Sequence, residues 1–300
     1  METLRRLLLL ALGVGLAGCT AAATPTPVPS IRPTAAPTPT NASPDDTRAW
    51  LEANLAPGEA VVWYLGQCGF AVRTGSHLLV FDYQEEWDGG RRRDSPAQPG
   101  LENGRFVPEQ VKDLPLRVFV SHEHSDHWDP AILSWRGTVG DIAYFFGWPA
   151  GSEESCHYLT DDRATWSSDD LAVYTIHVTN EVPETAYLVM VDGLVIYHNG
   201  DWIGDFATEY AYLRTVTERI DLAFIYRGFE EANTLRRANQ DMMQRFQVGA
   251  LFGMHDKAGS AGYATWVRVL KGEQPSAPVF APSVLGQRWV YRAGKIVPDS

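Results

Sequence analysis

Residues 118–127 read VFVSHEHSDH, and this stretch decides the fold. Its opening Val-Phe-Val is apolar and rich in strand-forming residues, which predicts a buried β-strand. Beyond it, the chain places four metal-capable side chains within six residues: His122, His124, Asp126 and His127. Imidazole nitrogen and carboxylate oxygen are the ligands favoured by zinc and its neighbours. The stretch therefore predicts a metal centre at the end of this strand.

The pattern on either side of this stretch predicts two packed sheets. Upstream, residues 60–65, 70–73 and 78–83 read as short strands joined by Gly-containing turns, which is typical of a β-meander. Downstream, strands and helices alternate. Strands are predicted at 142–146, 171–178, 185–191, 194–198, 222–226 and 248–253, helices at 129–135, 206–219, 235–246 and 262–271, and a closing hairpin at 288–297. This order indicates an α/β fold of the αββα sandwich type.

The His-x-His-x-Asp-His pattern after a strand resembles the signature of the metallo-β-lactamase superfamily. The resemblance covers nearly all of residues 58–258. Residues 61–70, VVWYLGQCGF, and 79–82, LVFD, are similar to the opening strands of the branch that contains L-ascorbate-6-phosphate lactonase. Residues 197–201, YHNGD, are similar to that branch's strand ending in Gly-Asp, and residues 252–255, FGMH, to the strand carrying its last ligand histidine.

The resemblance implies a centre for one or two divalent metals. It supplies a complete ligand set for one metal: Asp126, His127, Asp201 and His255. The other metal would be held by His122, His124 and the bridging Asp201. The cofactor expected on this basis is zinc, with manganese or iron as alternatives.

The site for the second metal lacks the superfamily's usual third histidine. Residues 179–181 read TNE where that histidine is expected. Asn180 fits the spacing, Glu181 is the better ligand for a hard metal, and His177 lies three residues upstream of Asn180. In order of preference, the candidates for the missing ligand are Asn180, Glu181 and His177. We expect His198 to support the ligands and Asp82 to support them or to form a turn. Cys68 is expected to be a packed small side chain rather than a reactive thiol or a metal ligand.

The activity implied by the resemblance is metal-dependent hydrolysis of a small ester, lactone, amide or phosphoester. A metal-bound hydroxide would attack the substrate, with Asp201 holding both metals and Asp126 orienting the nucleophile. Two alternatives remain: a metal-binding lipoprotein with little or no turnover, and a small-nucleotide phosphodiesterase on the same fold. A metal-content assay and a hydrolase substrate screen distinguish them.

The N-terminus predicts export and lipid attachment. Two arginines precede an apolar run at 7–16, and LAGC at 16–19 resembles a bacterial lipobox in which Cys19 carries the lipid. Residues 1–18 are then the signal peptide. Residues 19–46 form a Pro/Thr-rich tether with seven prolines, which keep it extended, and residues 47–300 form the hydrolase domain. We expect the domain to be anchored on the outer face of the cytoplasmic membrane or at the cell surface.

The composition limits the classes of partner that the protein is expected to bind. A formal charge of −12 and a pI near 5.1 argue against a nucleic acid polymer, because phosphate binding relies on clustered Lys and Arg. A small-molecule substrate and the membrane are the expected partners, and the sequence indicates no protein partner. Whether Cys68 and Cys156 form a disulfide outside the cytoplasm is left open.

The lipid anchor predicts that replacing Cys19 releases the protein. In Cys19→Ser the chain should leave the membrane fraction, because the tether has no membrane affinity without lipid. Fractionation followed by immunoblotting measures this, with Cys156→Ser as the matched control. A Cys19→Ser protein that still sediments with membranes would contradict the lipobox interpretation.

Overall fold

The computed structural model describes residues 43–88, 91–92, 94, 96–149, 156–179, 182–202, 205–227, 232–272 and 277–298. Cys19 with most of the tether, and Asn180 with Glu181, lie outside the described residues. The lipid anchor and the identity of the third ligand at the second metal site therefore stay predictions.

The first sheet is built on the predicted meander. Within the described residues it contains eight strands in the order β17-β16-β1-β2-β3-β6-β7-β8. Strands β1, β2 and β3 pair antiparallel, whereas β6 lies parallel to β3 and β7. Its strands are β1 (Ala60–Gly66), β2 (Gly69–Arg73), β3 (Leu78–Phe81), β6 (Leu116–Val120), β7 (Ile142–Phe146), β8 (Cys156–Tyr158), β16 (Arg288–Arg292) and β17 (Lys295–Val297).

The second sheet contains seven strands of the described chain in the order β15-β14-β13-β12-β11-β10-β9. Strands β12 to β15 are parallel, and β9 to β12 are antiparallel. A separate small ribbon pairs β4 (Trp87–Asp88) with β5 (Arg91–Arg92). The sheet's strands are β9 (Thr165–Ser167), β10 (Leu171–Thr179), β11 (Pro183–Val191), β12 (Leu194–His198), β13 (Arg219–Tyr226), β14 (Gln247–Met254) and β15 (Val279–Phe280).

Helices cover the outer faces of both sheets. They are α1 (Pro44–Glu52), α2 (Pro108–Val111), α3 (Phe206–Val216), α4 (Ala232–Arg245) and α5 (Ala261–Gly272), with short 3-10 helices at Leu101–Asn103 and Pro130–Gly137. In the described part of the chain, no helix is both long and apolar enough to span a membrane. The layers are helix, sheet, sheet and helix, so the predicted αββα sandwich is confirmed.

Strand β1 shows why the sheets stack. All seven of its residues are buried, and alternate side chains point to opposite faces. Val62 and Tyr64 pack in the core between the sheets, whereas Val61, Trp63 and Leu65 pack under the helices of the first sheet. The core between the sheets is aromatic, with the Phe70 and Phe224 ring centroids 4.3 Å apart. A strand that is apolar on both faces requires cover on both sides.

The differences from the predicted elements lie at ends and in short pieces. The segment after Asp129 is a 3-10 helix rather than an α-helix, and Asp129 caps it by accepting a hydrogen bond from Ala131 N. The helix predicted to reach residue 219 ends at Val216, because the Thr217 side chain bonds both the carbonyl and the amide of Arg219 and turns the chain into β13. Strands β8, β9 and β15 have two or three residues each, too few to show a pattern.

A polar clamp joins the two sheets at the end away from the histidine motif. Asp192, in the β11–β12 turn, accepts hydrogen bonds from the Thr74 hydroxyl at 2.6 Å and from the Ser76 amide at 2.7 Å in the β2–β3 turn. The Ser76 hydroxyl donates a further bond at 2.8 Å. Burial opposes the charge on Asp192, but these bonds outweigh burial and hold the pKa of this carboxyl below its usual value.

Removing the Asp192 charge should destabilise the fold. We expect Asp192→Asn to lower the free energy of unfolding by about 1–3 kcal/mol at pH 7, because several donors lose a charged acceptor. The lowered pKa makes this contribution complete above about pH 4 and lost as the pH falls further. The difference from wild type should therefore shrink in acid.

Urea unfolding at a series of pH values measures this effect. Asp141→Asn is the matched control, because it removes an ion pair with Arg117 whose carboxylate is 62% exposed, and such pairs contribute at most about 1 kcal/mol. Equal losses in the two variants, or a loss that does not depend on pH, would contradict the role assigned to the clamp.

Candidate metal centre

The predicted ligands meet where three strands end. The histidine motif follows β6, Asp201 follows β12 after two intervening residues, and His255 follows β14 directly. Strands β12, β13 and β14 run parallel, so their C-terminal ends lie at the same edge. The stacking of the two sheets brings this edge against the end of β6. Residues far apart in the sequence thereby reach one site.

The Asp201 carboxylate lies between two imidazoles. Its Oδ1 is 3.3 Å from His127 Nε2, and its Oδ2 is 3.0 Å from His255 Nε2. His255 Nε2 is also 3.3 Å from Asp126 Oδ2. The structure thus brings together all four residues assigned to the first metal, whereas their binding of a metal remains a prediction.

Two members of the second predicted ligand set, His122 and His124, lie side by side. His122 Nε2 and His124 Nδ1 are 3.0 Å apart, and the His122 ring lies 4.0 Å from the His127 ring. His122 is buried and His124 is exposed. Burial, with His127 nearby, lowers the pKa of His122 to about 3. A neutral imidazole keeps a lone pair for a metal, so His122 can donate to a cation.

His177, the third of the ranked candidates, lies in β10. Its Nδ1 is 2.8 Å from the hydroxyl of Thr185, and the Thr185 amide donates to the carbonyl of Ser121 at 3.0 Å. Thr185 therefore engages one of the two ring nitrogens of His177. Because Asn180 and Glu181 lie outside the described residues, the predicted order of the three candidates is unchanged.

The charges of the carboxylates and imidazoles at the site favour the binding of a cation. Burial opposes protonation of His255, but hydrogen bonds to Asp126 and Asp201 outweigh it and raise its pKa to about 9. Burial likewise opposes the charge on Asp201, but His127 and His255 hold the pKa of this carboxyl well below its usual value. The two carboxylates thus favour the protonated form of the neighbouring imidazoles. A divalent cation can replace those protons, and this donor set fits one.

Asp82 fixes the orientation of the motif from behind. Its carboxylate accepts bonds at 2.7 Å from the Ser121 amide, from the Ser121 hydroxyl and from His127 Nδ1. The His127 ring therefore presents Nε2 to the site. Asp82 adopts a positive φ of 41° directly after β3, a conformation that Asp tolerates better than most residues. Its expected supporting role agrees with these contacts.

His198 ties Asp201 to the opposite sheet. Its Nδ1 accepts a bond from the Gly200 amide at 3.2 Å, and its Nε2 donates to the carbonyl of Cys68 at 3.1 Å. Gly200 has a φ of 55°, and a Cβ there would lie 2.7 Å from Ser121 Cβ. Glycine is thus required where the segment after β12 passes the histidine motif.

Two residues that the motifs did not select also face the site. Gln67 and Cys68 form the β1–β2 turn, where Gln67 Nε2 donates to Asp126 Oδ2 at 3.1 Å and Cys68 Sγ lies 3.6 Å from His127 Nε2. Burial raises the pKa of the Cys68 thiol. Cys68 and Cys156 are not joined by a disulfide. Cys68 is buried in the apolar core between the sheets, as expected, and its sulfur also lies against a predicted ligand.

No protein-family model and no curated protein matches the chain. Solved structures do match. One is Igni18, a metallo hydrolase from the archaeon Ignicoccus hospitalis, with a TM-score of 0.55, 14% identity, and coverage of 78% of this chain and 99% of that one. Another is the metallo-β-lactamase fold protein YhfI from Bacillus subtilis, with a TM-score of 0.53, 13% identity, and coverage of 78% and 99%.

The diiron β-hydroxylase CmlA from Streptomyces venezuelae also matches, with a TM-score of 0.51, 12% identity, and coverage of 79% of this chain and 55% of that one. Identities this low establish a shared fold and leave the chemistry to the site. Because the matches include a metallo hydrolase and a diiron hydroxylase, the fold alone does not select the metal.

Asp82 gives a test of how the site is supported. We expect Asp82→Asn to weaken zinc binding about ten- to a hundredfold, because an amide NH2 facing His127 Nδ1 removes an acceptor. Competitive titration with a chelator measures the affinity, and Asp141→Asn serves as the control. Unchanged zinc affinity in a folded Asp82→Asn protein would contradict this role.

Proposed function

We propose that this chain, which has the metallo-β-lactamase fold, is a metal-dependent hydrolase. The observation that carries the proposal is the convergence of His127, Asp201 and His255, whose facing nitrogen and oxygen atoms are 3.3 Å and 3.0 Å apart. A hydrolytic site needs these donors around a cation and an open side for the substrate. The described residues provide such donors and an open side, which supports the proposal.

Some of the site residues would hold a metal, and others would position the reacting groups. His127, Asp201, His255 and Asp126 would hold one divalent cation, and His122 with His124 would contribute to a second. When bound, such cations lower the pKa of water and polarise a carbonyl or phosphoryl oxygen. Asp126 is held by Gln67 and faces His255, which would position it to orient the attacking water. Zinc is the proposed metal, with manganese or iron as alternatives.

The site is open on one side. The side chains of Asp126, Asp201 and His255 are 36%, 22% and 14% exposed, and His124 lies at the surface. The supporting groups Asp82 and His198 are buried. A small substrate can therefore approach the carboxylates from solvent while the ring orientations stay fixed from within. Small esters, lactones, amides and phosphoesters are the proposed substrate classes.

The proposed location is outside the cytoplasm, with the domain held to a membrane by lipid on Cys19. The signal-like residues 1–18 and the Pro-rich tether support this proposal. The expected substrate is then a small molecule met outside the cytoplasm.

The test is metal-dependent turnover on a panel of small substrates. Purified chain should lose activity when stripped with a chelator and regain it on adding one metal from a series of zinc, manganese and iron. Asp201→Ala should abolish activity and lower metal content, because each oxygen of this carboxylate faces a predicted ligand. Asp141→Asn should retain both.

The alternatives give different results. Metal bound without turnover on any ester, lactone, amide or phosphoester would favour the metal-binding lipoprotein, whereas turnover confined to nucleotide phosphodiesters would favour the phosphodiesterase. Full activity and full metal content in Asp201→Ala would show that the centre lies elsewhere and would contradict the proposal.

A further inference from the structure

Cys68 lies in the turn between β1 and β2, on the opposite sheet from Asp201 and His255. Its side chain is fully buried. The ligand atoms of Cys68, His127, Asp201 and His255 all lie within 4.8 Å of one another. Asp126 does not belong to this mutually close set, although its carboxylate lies near His255. The described residues therefore contain a close cluster of donors that includes sulfur.

The separations in this cluster suit donors that share one cation. With metal–sulfur and metal–nitrogen distances of about 2.3 and 2.1 Å and a tetrahedral angle, the two ligand atoms are about 3.6 Å apart. Cys68 Sγ and His127 Nε2 are 3.6 Å apart. A nitrogen and a carboxylate oxygen at similar metal distances are about 3.3 Å apart, and His127 Nε2 is 3.3 Å from Asp201 Oδ1.

The turn that carries Cys68 is fixed on several sides. His198 donates to the Cys68 carbonyl at 3.1 Å. The preceding Gln67 has a positive φ of 50°, and its carbonyl accepts a bond from the His255 amide at 3.1 Å. The Gln67 side chain donates to Asp126. These contacts join the turn to three of the predicted ligand segments and position the sulfur without help from a metal.

We infer that the Cys68 thiolate is a ligand of the metal held by His127, Asp201 and His255. The inference rests on the proposed function, because it requires the metal centre. On binding, the Cys68 S–H bond breaks, its proton passes to solvent, and the sulfur donates an electron pair to the cation. Thiolate is a soft ligand, so zinc is favoured over manganese at this position.

The rival explanation is a thiol that merely packs beside His127. Buried cysteines commonly behave as small apolar side chains. The two explanations differ in one observable, a sulfur–metal bond. Cobalt(II) reports such a bond directly, because sulfur-to-cobalt charge transfer absorbs in the near ultraviolet, whereas the visible bands of cobalt report its coordination by any ligand.

The experiment is the absorption spectrum of the full chain, stripped of metal and reloaded with one equivalent of cobalt(II). We expect visible bands together with a near-ultraviolet charge-transfer band. The chain has three cysteines, and each is replaced by serine in turn. Cys68→Ser should lose the charge-transfer band, whereas Cys19→Ser and Cys156→Ser should keep it.

A second measurement guards against misfolding. Cys68→Ala should keep the wild-type circular dichroism spectrum and bind zinc at least about tenfold more weakly, since even the loss of a supporting partner costs that much. Visible cobalt bands without charge transfer, or unchanged zinc affinity in Cys68→Ala, would overturn this inference and leave the metal centre intact. A chain that binds no cobalt would overturn the inference and the proposed function together.

Discussion

The carboxylate of Asp201 has one oxygen against His127 and the other against His255, and the organisation of the site depends on this arrangement. An anion held between two imidazoles in a largely buried position is stable only with positive charge beside it. Protons on the imidazoles supply that charge in the absence of metal, and a divalent cation supplies it more effectively. The same arrangement requires the ends of β6, β12 and β14 to meet, which the stacking of the two sheets achieves.

The two ends of the sandwich have different tasks. At one end, Asp192 clamps the β2–β3 turn to the β11–β12 turn by hydrogen bonds of 2.6 to 2.8 Å. At the other end, Asp82, His198 and Gly200 hold the ligands, with left-handed backbone at Asp82 and Gly200. Glycine adopts this conformation without strain, whereas the strain at Asp82 is retained because the surrounding contacts fix it. The clamp and the aromatic core between the sheets together keep the functional edge in register.

The sequence predicted most of the architecture because long strands and helices repeat their patterns over many residues. It also selected His122, His124, Asp126 and His127, whose close spacing is a local signal, and Asp201 and His255 through family resemblance. The sequence did not assign Cys68 as a ligand, because it lies in a glycine-flanked turn 59 residues before His127, and no spacing rule links the two residues. Its place at the site follows from the stacking of two sheets, which is a long-range effect. The 3-10 form of the segment after Asp129 is likewise set by tertiary context.

The central claim is that a metal lies among His127, Asp201 and His255. Anomalous diffraction at the zinc edge from crystals of the zinc-loaded chain tests it most directly. A strong peak is expected within bonding distance of His127 Nε2, His255 Nε2 and the Asp201 carboxylate. A zinc-loaded crystal with no peak among these three side chains, or with its only peaks elsewhere on the surface, would contradict it.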